Sequence, residues 1–200
     1  MIIAIDGPSA SGKGTIAKAL AKHFGYDYLD TGALYRMVGL SVMRRALDPR
    51  DEEACAAIAA SLDPAHFVDS ELRSELVGGY ASKVAILPKV RAALLAFQRS
   101  FAQRQPGAVL DGRDIGTIIC PNADYKFFIT ASSEARAQRR FRETPGSDLA
   151  AIRADIEARD LRDSSRSLAP LMPAADAVIV DTTNFNADEA LAKVLAKINR

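Results

Sequence analysis

A glycine-rich segment near the start of the chain has the residue types and spacing of a phosphate-binding loop. Its nine residues are Gly7, Pro8, Ser9, Ala10, Ser11, Gly12, Lys13, Gly14 and Thr15. Glycines let successive backbone amides turn toward phosphate oxygens at a helix N-terminus, and the lysine places a charge between the β- and γ-phosphates. A plain glycine-rich turn is the alternative, but a strand pattern precedes the loop and a helix pattern follows it, as the motif requires. We therefore predict that the chain binds a nucleoside triphosphate.

Arginines late in the chain are the second chemical signal. Of the chain's 18 arginines, eight lie between Arg136 and Arg166, a stretch without lysine. Arginine binds phosphate bidentately and keeps its charge when desolvated, which suits a segment that covers phosphates during transfer. Six acidic residues lie in the same stretch and a seventh, Glu134, lies just before it, so a solvated helix face with ion pairs is the alternative for any single arginine. Helical spacing relates Arg136, Arg139 and Arg140, and also Arg159, Arg162 and Arg166.

Composition excludes several other classes of protein. The 26 basic and 25 acidic residues leave a formal net charge of +1, which argues against a nucleic-acid coat or a membrane-surface protein. The guanine-reading string Asn-Lys-x-Asp and the switch string Asp-x-x-Gly of GTPases are missing from the sequence, and no convincing apolar run precedes a Walker-B acid. Cys55 and Cys120 are far apart, and His23 and His66 lack metal spacing, so neither a disulfide nor a protein-built zinc site is expected. Without an apolar membrane span or a charged leader, we expect a cytoplasmic protein.

The elements that must position these residues alternate regularly. Short apolar runs typical of buried strands lie at residues 2–6, 26–30, 108–110, 125–129 and 177–180. Helical patterns lie at residues 14–24, 31–46, 54–62, 88–101, 132–142, 147–162 and 187–197. Between residues 63 and 88 the pattern is weak: we predict a strand fragment at 66–68 and a helix at 71–85 interrupted by Gly78 and Gly79. The alternation predicts an α/β fold, a five-stranded parallel sheet with helices on both faces and ligands outside the carboxyl ends of the strands.

Four strings occur together, in the order found in bacterial cytidylate kinases, and the chain resembles that family over nearly its whole length. They are Gly7 to Thr15, Asp30-Thr31-Gly32-Ala33-Leu34-Tyr35-Arg36, Asp111-Gly112-Arg113-Asp114-Ile115-Gly116-Thr117 and Arg159-Asp160-Leu161-Arg162-Asp163-Ser164-Ser165-Arg166. The glycine between Lys13 and Thr15 departs from the usual loop, and nucleoside monophosphate kinases in general share that departure. The resemblance implies the three-layer P-loop fold and phosphoryl transfer from ATP to CMP or dCMP, with Mg²⁺ carried in on the nucleotide.

The resemblance also implies a role for individual residues. The acceptor phosphate is assigned to Thr31, Arg36 and Arg113, the base to Ser82, Arg91, Asp114 and Arg166, and the sugar hydroxyls to Arg159 and Asp163. The transferring phosphoryl group is assigned to Lys13, Arg113, Arg136, Arg139 and Arg140. No residue is assigned as a direct metal ligand; Asp111 or Asp30 could orient metal-bound waters, and either could instead cap a strand-to-helix turn.

The resemblance predicts one domain over residues 1–200, with an acceptor-binding insertion at about 50–90 and a short lid at about 142–150. The family's small antiparallel β insertion is markedly shortened between Val68 and Leu72, so we expect a reduced acceptor lobe. We expect a monomer that binds small molecules but neither nucleic acid nor membrane. Two alternatives stay open: a small-molecule kinase with another acceptor, such as AMP, a sugar or shikimate, and a non-enzymatic nucleotide-dependent regulator.

Overall fold

One five-stranded sheet organises the first of two compact units, which comprises Met1–Leu29 and Ala102–Arg200. The computed structural model describes residues 1–72, 74–144 and 146–198. The strands are β1 (Ile2–Asp6), β2 (Asp27–Asp30), β3 (Ala108–Gly112), β4 (Tyr125–Thr130) and β5 (Val178–Asp181). Their order is β2-β3-β1-β4-β5, and β1 pairs in parallel with both β3 and β4. The predicted α/β architecture with a five-stranded sheet is confirmed.

The central strand β1 is apolar because it lies inside the sheet, and buried parallel strands read as continuous apolar runs. Ile3 and Ile5 pack in one cluster with Leu20 and Phe127. The helices of this unit are α1 (Lys13–Phe24), α7 (Ser133–Glu143), α8 (Leu149–Ser164) and α9 (Ala187–Ile198). Helix α1 ends where Gly25, in the left-handed conformation, donates its backbone N–H to the carbonyl of Ala21. The core thus holds α1 against β1.

The second unit, Asp30–Phe101, is built from helices. They are α2 (Thr31–Arg44), α3 (Glu52–Ala60), α4 (Asp69–Leu72), α5 (Glu75–Val84) and α6 (Pro88–Ala102), and every regular element between residues 31 and 101, apart from undescribed residue 73, is helical. Helices α2 and α5 approach closely, because a Cβ on Gly39 would lie only 2.8 Å from the backbone nitrogen of Ala81. Leu34, Val38 and Val84 fill the space between these helices and their neighbours.

Two expectations about the weak region were wrong. Residues 66–68 form no strand; Asp63 accepts a hydrogen bond from the amide of Ala65, and Pro64–His66 close a short 3₁₀ turn instead. Helix α5 also runs unbroken through Gly78 and Gly79. Glycine is a poor helix former, but burial of the α5 face against α2 outweighs that intrinsic cost.

The predicted domain boundaries stay predictions. Residues 50–90 fall within the second unit, and residues 142–150 connect α7 to α8. Of the lid's expected Pro145-Gly146 turn, Pro145 lies outside the described residues, while Gly146 has a φ of 85°. Among the described helices, none is long and apolar enough to cross a membrane.

Candidate active site

The glycine-rich loop connects β1 to α1, and its backbone geometry depends on two glycines. A Cβ on Gly7 would lie 2.0 Å from the carbonyl oxygen of Ile129, so no side chain fits there. Gly12 has a φ of 87° and precedes the first residue of α1. The loop therefore ends at the N-terminus of α1, where backbone N–H groups and the helix dipole favour anions.

Lys13 and Asp111 meet at the carboxyl ends of β1 and β3. The Nζ of Lys13 lies 3.9 Å from the Oδ2 of Asp111, and the side chains are 14% and 4% exposed. The hydroxyl of Tyr28 donates to the other carboxylate oxygen of Asp111 at 2.8 Å. Asp30, the other acid considered for metal-bound waters, accepts the amide of Ala33 and caps α2. Of these two acids, Asp111 is thus the one that the structure places beside the loop lysine.

Arg136 on α7 is buried, and its guanidinium has three protein acceptors. Nε donates to the carbonyl of Ala131 at 2.9 Å, and one terminal nitrogen donates to the carbonyl of Ser9 at 3.1 Å. The other terminal nitrogen lies 2.6 Å from a carboxylate oxygen of Asp160 on α8. Arg136 therefore joins the phosphate loop to α8, and its charge is neutralised.

Arg139 lies one turn further along α7 and has uncharged partners. It donates to the carbonyls of Ser11 and Thr182 at 3.3 and 2.5 Å and to the hydroxyl of Thr182 at 3.1 Å. Burial, together with the nearby charge of Arg136, lowers the pKa of Arg139. None of these hydrogen-bond acceptors is a carboxylate, so the guanidinium of Arg139 brings net positive charge to the loop. Arg140, the next residue, is half-buried.

A cluster of arginines surrounds the buried carboxylate of Asp163 on α8. Arg113 Nε donates to one carboxylate oxygen at 2.9 Å, and Arg166 donates to the other. Burial of Asp163 opposes ionisation, but the charges of Arg113, Arg166 and Arg159 outweigh it and lower the pKa of the carboxyl. Asp114, also buried, follows Arg113 in the chain. Five of the predicted acceptor residues thus lie in the first unit, and three of them, Arg113, Arg159 and Arg166, surround the carboxylate of a fourth, Asp163.

The remaining predicted acceptor residues lie in the second unit; they are Thr31, Arg36, Ser82 and Arg91. Thr31 and Ser82 are buried, and Arg36 is half-buried. Arg91, 8% exposed, donates to the carbonyl of Ala85 at 3.3 Å. Its guanidinium carbon lies 5.8 Å from the ring centre of Tyr35. A carbonyl acceptor and an aromatic face together orient the guanidinium of Arg91.

Two buried polar residues near the loop, Thr182 and Asp6, were not among the predicted site residues. Thr182 directly follows β5 and donates its hydroxyl to the carbonyl of Ser11 at 3.1 Å. Asp6 ends β1, and its carboxylate accepts the amides of Ile115 and Gly116. Both residues lie at strand ends, so the rule that ligand sites lie outside the carboxyl ends of parallel strands could have found them.

A protein-built metal cage is not part of this arrangement. Over residues 1–72, 74–144 and 146–198, no group of three or more histidine, cysteine, aspartate or glutamate side chains could hold a metal ion. The chemistry that the geometry supports is recognition of phosphate groups by a glycine-rich loop, a lysine and arginines, with the carboxylate of Asp111 beside the lysine.

Similarity to solved structures supports the fold. An uncharacterized protein from Eubacterium ventriosum aligns with a TM-score of 0.58 at 17% identity, covering 100% of this chain and 98% of that chain. A gluconokinase from Sinorhizobium meliloti aligns with a TM-score of 0.50 at 16% identity, covering 98% of this chain and 94% of that chain. At such identities the similarity shows the fold alone.

Sequence relatives are much closer. A cytidylate kinase from Methylocella silvestris is 54% identical over 199 residues, covering 98% of this chain and 92% of the relative. Cytidylate kinases from Bradyrhizobium sp. and Paramagnetospirillum magneticum are 52% and 51% identical, covering 96% and 98% of this chain and 92% and 97% of those proteins. The family model described as cytidylate kinase matches residues 3–200. With the motifs and the fold that carry them in place, the chain belongs to the cytidylate kinase family.

Proposed function

We propose that this protein transfers the γ-phosphoryl group of ATP to CMP or dCMP, yielding ADP and CDP or dCDP. The observation that carries the proposal is the match to cytidylate kinases over almost the entire chain, at more than half identity. The buried phosphate-recognising groups of the first unit support it independently, because a kinase of this type needs positive charge around a transferred phosphoryl group.

On the donor side, the loop from Gly7 to Thr15 binds the phosphates of ATP. Lys13 carries the charge that balances the β- and γ-phosphates, and Arg139 and Arg140 add positive charge beside the loop. Arg136 has a different role in this proposal, because Asp160 already neutralises it: it supports the loop through the Ser9 carbonyl. In this proposal Arg139 and Arg140 supply positive charge, whereas Arg136, neutralised by Asp160, supports only the loop backbone.

Transfer itself needs no general base. An oxygen of the acceptor phosphate attacks the γ-phosphorus, the new P–O bond forms, and the bond to the β-phosphate oxygen breaks as ADP leaves. A nucleoside monophosphate has a second pKa of about 6, so its phosphate is largely a dianion at neutral pH and carries no proton that must be removed. The protein therefore contributes positioning and charge neutralisation.

Magnesium fits this site as a substrate-borne ion. Mg²⁺ prefers oxygen ligands, keeps several waters and is usually held by one or two carboxylates together with phosphates. The carboxylate of Asp111 beside Lys13 suits that pattern. We propose that Asp111 holds waters of the ion, while Asp30 acts as the cap of α2. When bound, the ion supplies neutralisation of the charge on the β- and γ-phosphates.

On the acceptor side, the buried arginine cluster is proposed to bind CMP. Asp163 stays ionised because its pKa is lowered, so it can accept hydrogen bonds from sugar hydroxyls, with Arg159 beside it. Arg113 is assigned to the phosphate, and Asp114 and Arg166 to the base. The roles assigned to Thr31, Arg36, Ser82 and Arg91 rest on the family resemblance and stay predictions.

Oligomeric state and location also stay predictions. Cys55 and Cys120 are both free and buried, which fits a reducing compartment such as the cytoplasm. Analytical ultracentrifugation of the purified protein tests the expected monomer.

An ADP-release assay with a panel of acceptors tests the proposed function. The purified protein with Mg²⁺ and ATP is given CMP, dCMP, UMP, AMP, shikimate or no acceptor, and ADP formation is followed by a coupled reaction. We expect rapid release with CMP and dCMP and almost none without acceptor. Release with another acceptor but not with CMP would identify a different small-molecule kinase, and ATP binding without any acceptor-dependent release would identify a regulator.

A further inference from the structure

Asp6 occupies a position that the mechanism above does not use. It is the last residue of β1 and directly precedes Gly7, the first residue of the phosphate loop. Its side chain is 4% exposed. One carboxylate oxygen accepts the backbone N–H of Ile115 and the other accepts that of Gly116, each at 2.8 Å. A single buried carboxylate thus binds two successive amides more than a hundred residues away in sequence.

Those two amides open a wide helical turn, Ile115–Ile119, which directly follows Arg113 and Asp114. Its hydrogen bonds span five residues, from the amide of Cys120 to the carbonyl of Ile115 at 2.7 Å. Wide turns of this kind are rare and occur frequently at functional sites. Two amides at the start of the turn have the carboxylate as their acceptor, so the position of the turn depends on Asp6.

The turn is also confined from its other side. A Cβ on Gly116 would lie 3.2 Å from the Cδ of Lys126 and 3.5 Å from the Oδ2 of Asp6. Lys126 is held in turn, because its ammonium group donates to both carboxylate oxygens of Asp176 at 2.8 and 2.9 Å. Gly116 therefore allows the backbone to approach the carboxylate closely between two fixed side chains.

Burial makes this carboxylate expensive to keep ionised. Burial raises the pKa of Asp6 to about 7, against the lowering effect of its two amide hydrogen bonds. The charged groups around it are Asp114, which raises the pKa further, Arg113, which lowers it, and Lys126 beyond Gly116. An apolar residue would end a buried strand at lower cost, and a costly buried charge beside a phosphate site points to a functional role.

We propose that Asp6 is a positioning residue for the acceptor nucleotide. Through the amides of Ile115 and Gly116, its carboxylate fixes the turn that follows Arg113 and Asp114, and so holds these two acceptor-binding residues in register with the phosphate loop. The inference rests on the proposed function, which assigns Arg113 and Asp114 to CMP. Asp6 touches no substrate; it acts through the backbone of the turn.

Asp6→Asn tests this role with little change in shape. The amide keeps one acceptor oxygen but places an NH₂ group opposite the second backbone N–H. Calorimetry measures the Kd of CMP without ATP and the Kd of ATP without CMP. Loss of one charge-assisted hydrogen bond should weaken CMP binding by about tenfold or more and ATP binding by less than about threefold. Asp124→Asn is the matched control, because Asp124 accepts the amide of Ile2 at the opposite end of β1; it should leave both Kd values unchanged.

A second variant and a pH series separate positioning from general loss of structure. Gly116→Ala leaves Asp6 intact but crowds the turn from the side of Lys126, so it should also weaken CMP selectively. In the wild type, the CMP affinity should fall as pH falls through about 7, because protonation removes one acceptor from Asp6. In Asp6→Asn, the part of this pH dependence that comes from Asp6 should be missing. Titration of the CMP phosphate affects both proteins equally, so it cancels in the ratio of their Kd values.

The outcomes discriminate clearly. Equal weakening of CMP and ATP in Asp6→Asn, or CMP binding like the wild type at all pH values, overturns the positioning role while leaving the proposed function intact. A wild-type protein that binds ATP but not CMP refutes the proposed function and this inference with it. Selective CMP loss in both variants, with an unaffected Asp124→Asn control, supports the inference.

Discussion

Replacing Arg136 by methionine removes the guanidinium that joins the phosphate loop to helix α8 while retaining an apolar side chain of similar length. The Arg136 side chain is 6% exposed, and its partner Asp160 is 25% exposed. The substitution leaves the carboxylate of Asp160 and the carbonyls of Ser9 and Ala131 without their guanidinium donors. Two consequences follow, one for the stability of the first unit and one for ATP binding.

The expected loss of unfolding free energy comes mainly from the Asp160 charge, which the substitution leaves without its partner. Removing one partner of a buried ion pair costs about 3–5 kcal/mol, and each buried carbonyl that loses its donor costs about 1 kcal/mol or more. Asp160 can recover some hydration because a quarter of its side chain is exposed, which reduces the first of these terms. We therefore expect Arg136→Met to lower the free energy of unfolding by about 3–5 kcal/mol.

Urea unfolding followed by circular dichroism measures this loss, and calorimetry measures the Kd of ATP. The double variant Arg136→Met/Asp160→Asn should be more stable than Arg136→Met, because it also removes the stranded charge. Arg153→Met is the matched control on α8: Arg153 pairs with Glu134 and Glu157, but about half of each of these side chains is exposed. This control should unfold like the wild type within error.

Three results would each contradict part of the reasoning about Arg136. A loss below about 1 kcal/mol in Arg136→Met would mean that the buried contacts contribute little beyond an exposed pair. A double variant no more stable than Arg136→Met would mean that the stranded Asp160 charge is not the source of the cost. Unchanged ATP affinity in Arg136→Met would remove Arg136 from the support of the loop.

Three further predictions concern the loop, the helical unit and the buried acid. Lys13→Ala should lower kcat by orders of magnitude without loss of fold, measured by ADP release and circular dichroism. Gly39→Ala should destabilise the protein by about 1–3 kcal/mol, because the new Cβ would lie 2.8 Å from the backbone nitrogen of Ala81. Gly79→Ala should instead stabilise it by about 0.5–1 kcal/mol, because a Cβ there would have no other atom within 4 Å. Asp163 has a lowered pKa, so its stabilisation is present above its unfolded pKa near 3.8 and is lost as pH falls through the folded value. The gap in unfolding free energy between the wild type and Asp163→Asn should therefore shrink below about pH 4.

Each of these expectations has a contrary outcome. A folded Lys13→Ala enzyme with normal turnover would exclude the lysine from charge neutralisation. If Gly39→Ala and Gly79→Ala change stability in the same direction, close approach of α2 and α5 is not what requires glycine at position 39. If the difference in unfolding free energy between the wild type and Asp163→Asn stays constant from pH 7 to pH 3, the arginines do not stabilise the ionised carboxylate of Asp163.

Much of the fold could be predicted because its signals are local. An apolar run closed by a turn predicts a buried strand, and Gly25 predicts the end of α1, from a handful of adjacent residues. The prediction failed at residues 66–68 and at Gly78 and Gly79, where local preference is weak. There, a side-chain cap from Asp63 and the packing of α5 on α2 decided the outcome, and neither has a periodic pattern.

In the candidate site, too, the part formed by adjacent residues could be predicted from the sequence. The residue types of the phosphate loop are adjacent in sequence, so their chemistry was evident before the structure. Asp6 and Thr182 were missed because each is a single polar residue whose partners are distant: Asp6 binds an amide 109 residues away and Thr182 a carbonyl 171 residues away. Only the placement of both residues at the carboxyl ends of strands marked them in advance.

By itself, the sequence determined that the chain binds phosphates on an α/β scaffold, since the loop and the strand-helix alternation are contiguous patterns. The tertiary structure decided what each arginine does. In the sequence, Arg136 and Arg139 are two equivalent cations three residues apart; in the fold, Asp160 neutralises the first, while backbone carbonyls and a hydroxyl hold the second. The physical reason is that electrostatic interactions depend on distance and burial, and both are set by which elements pack together.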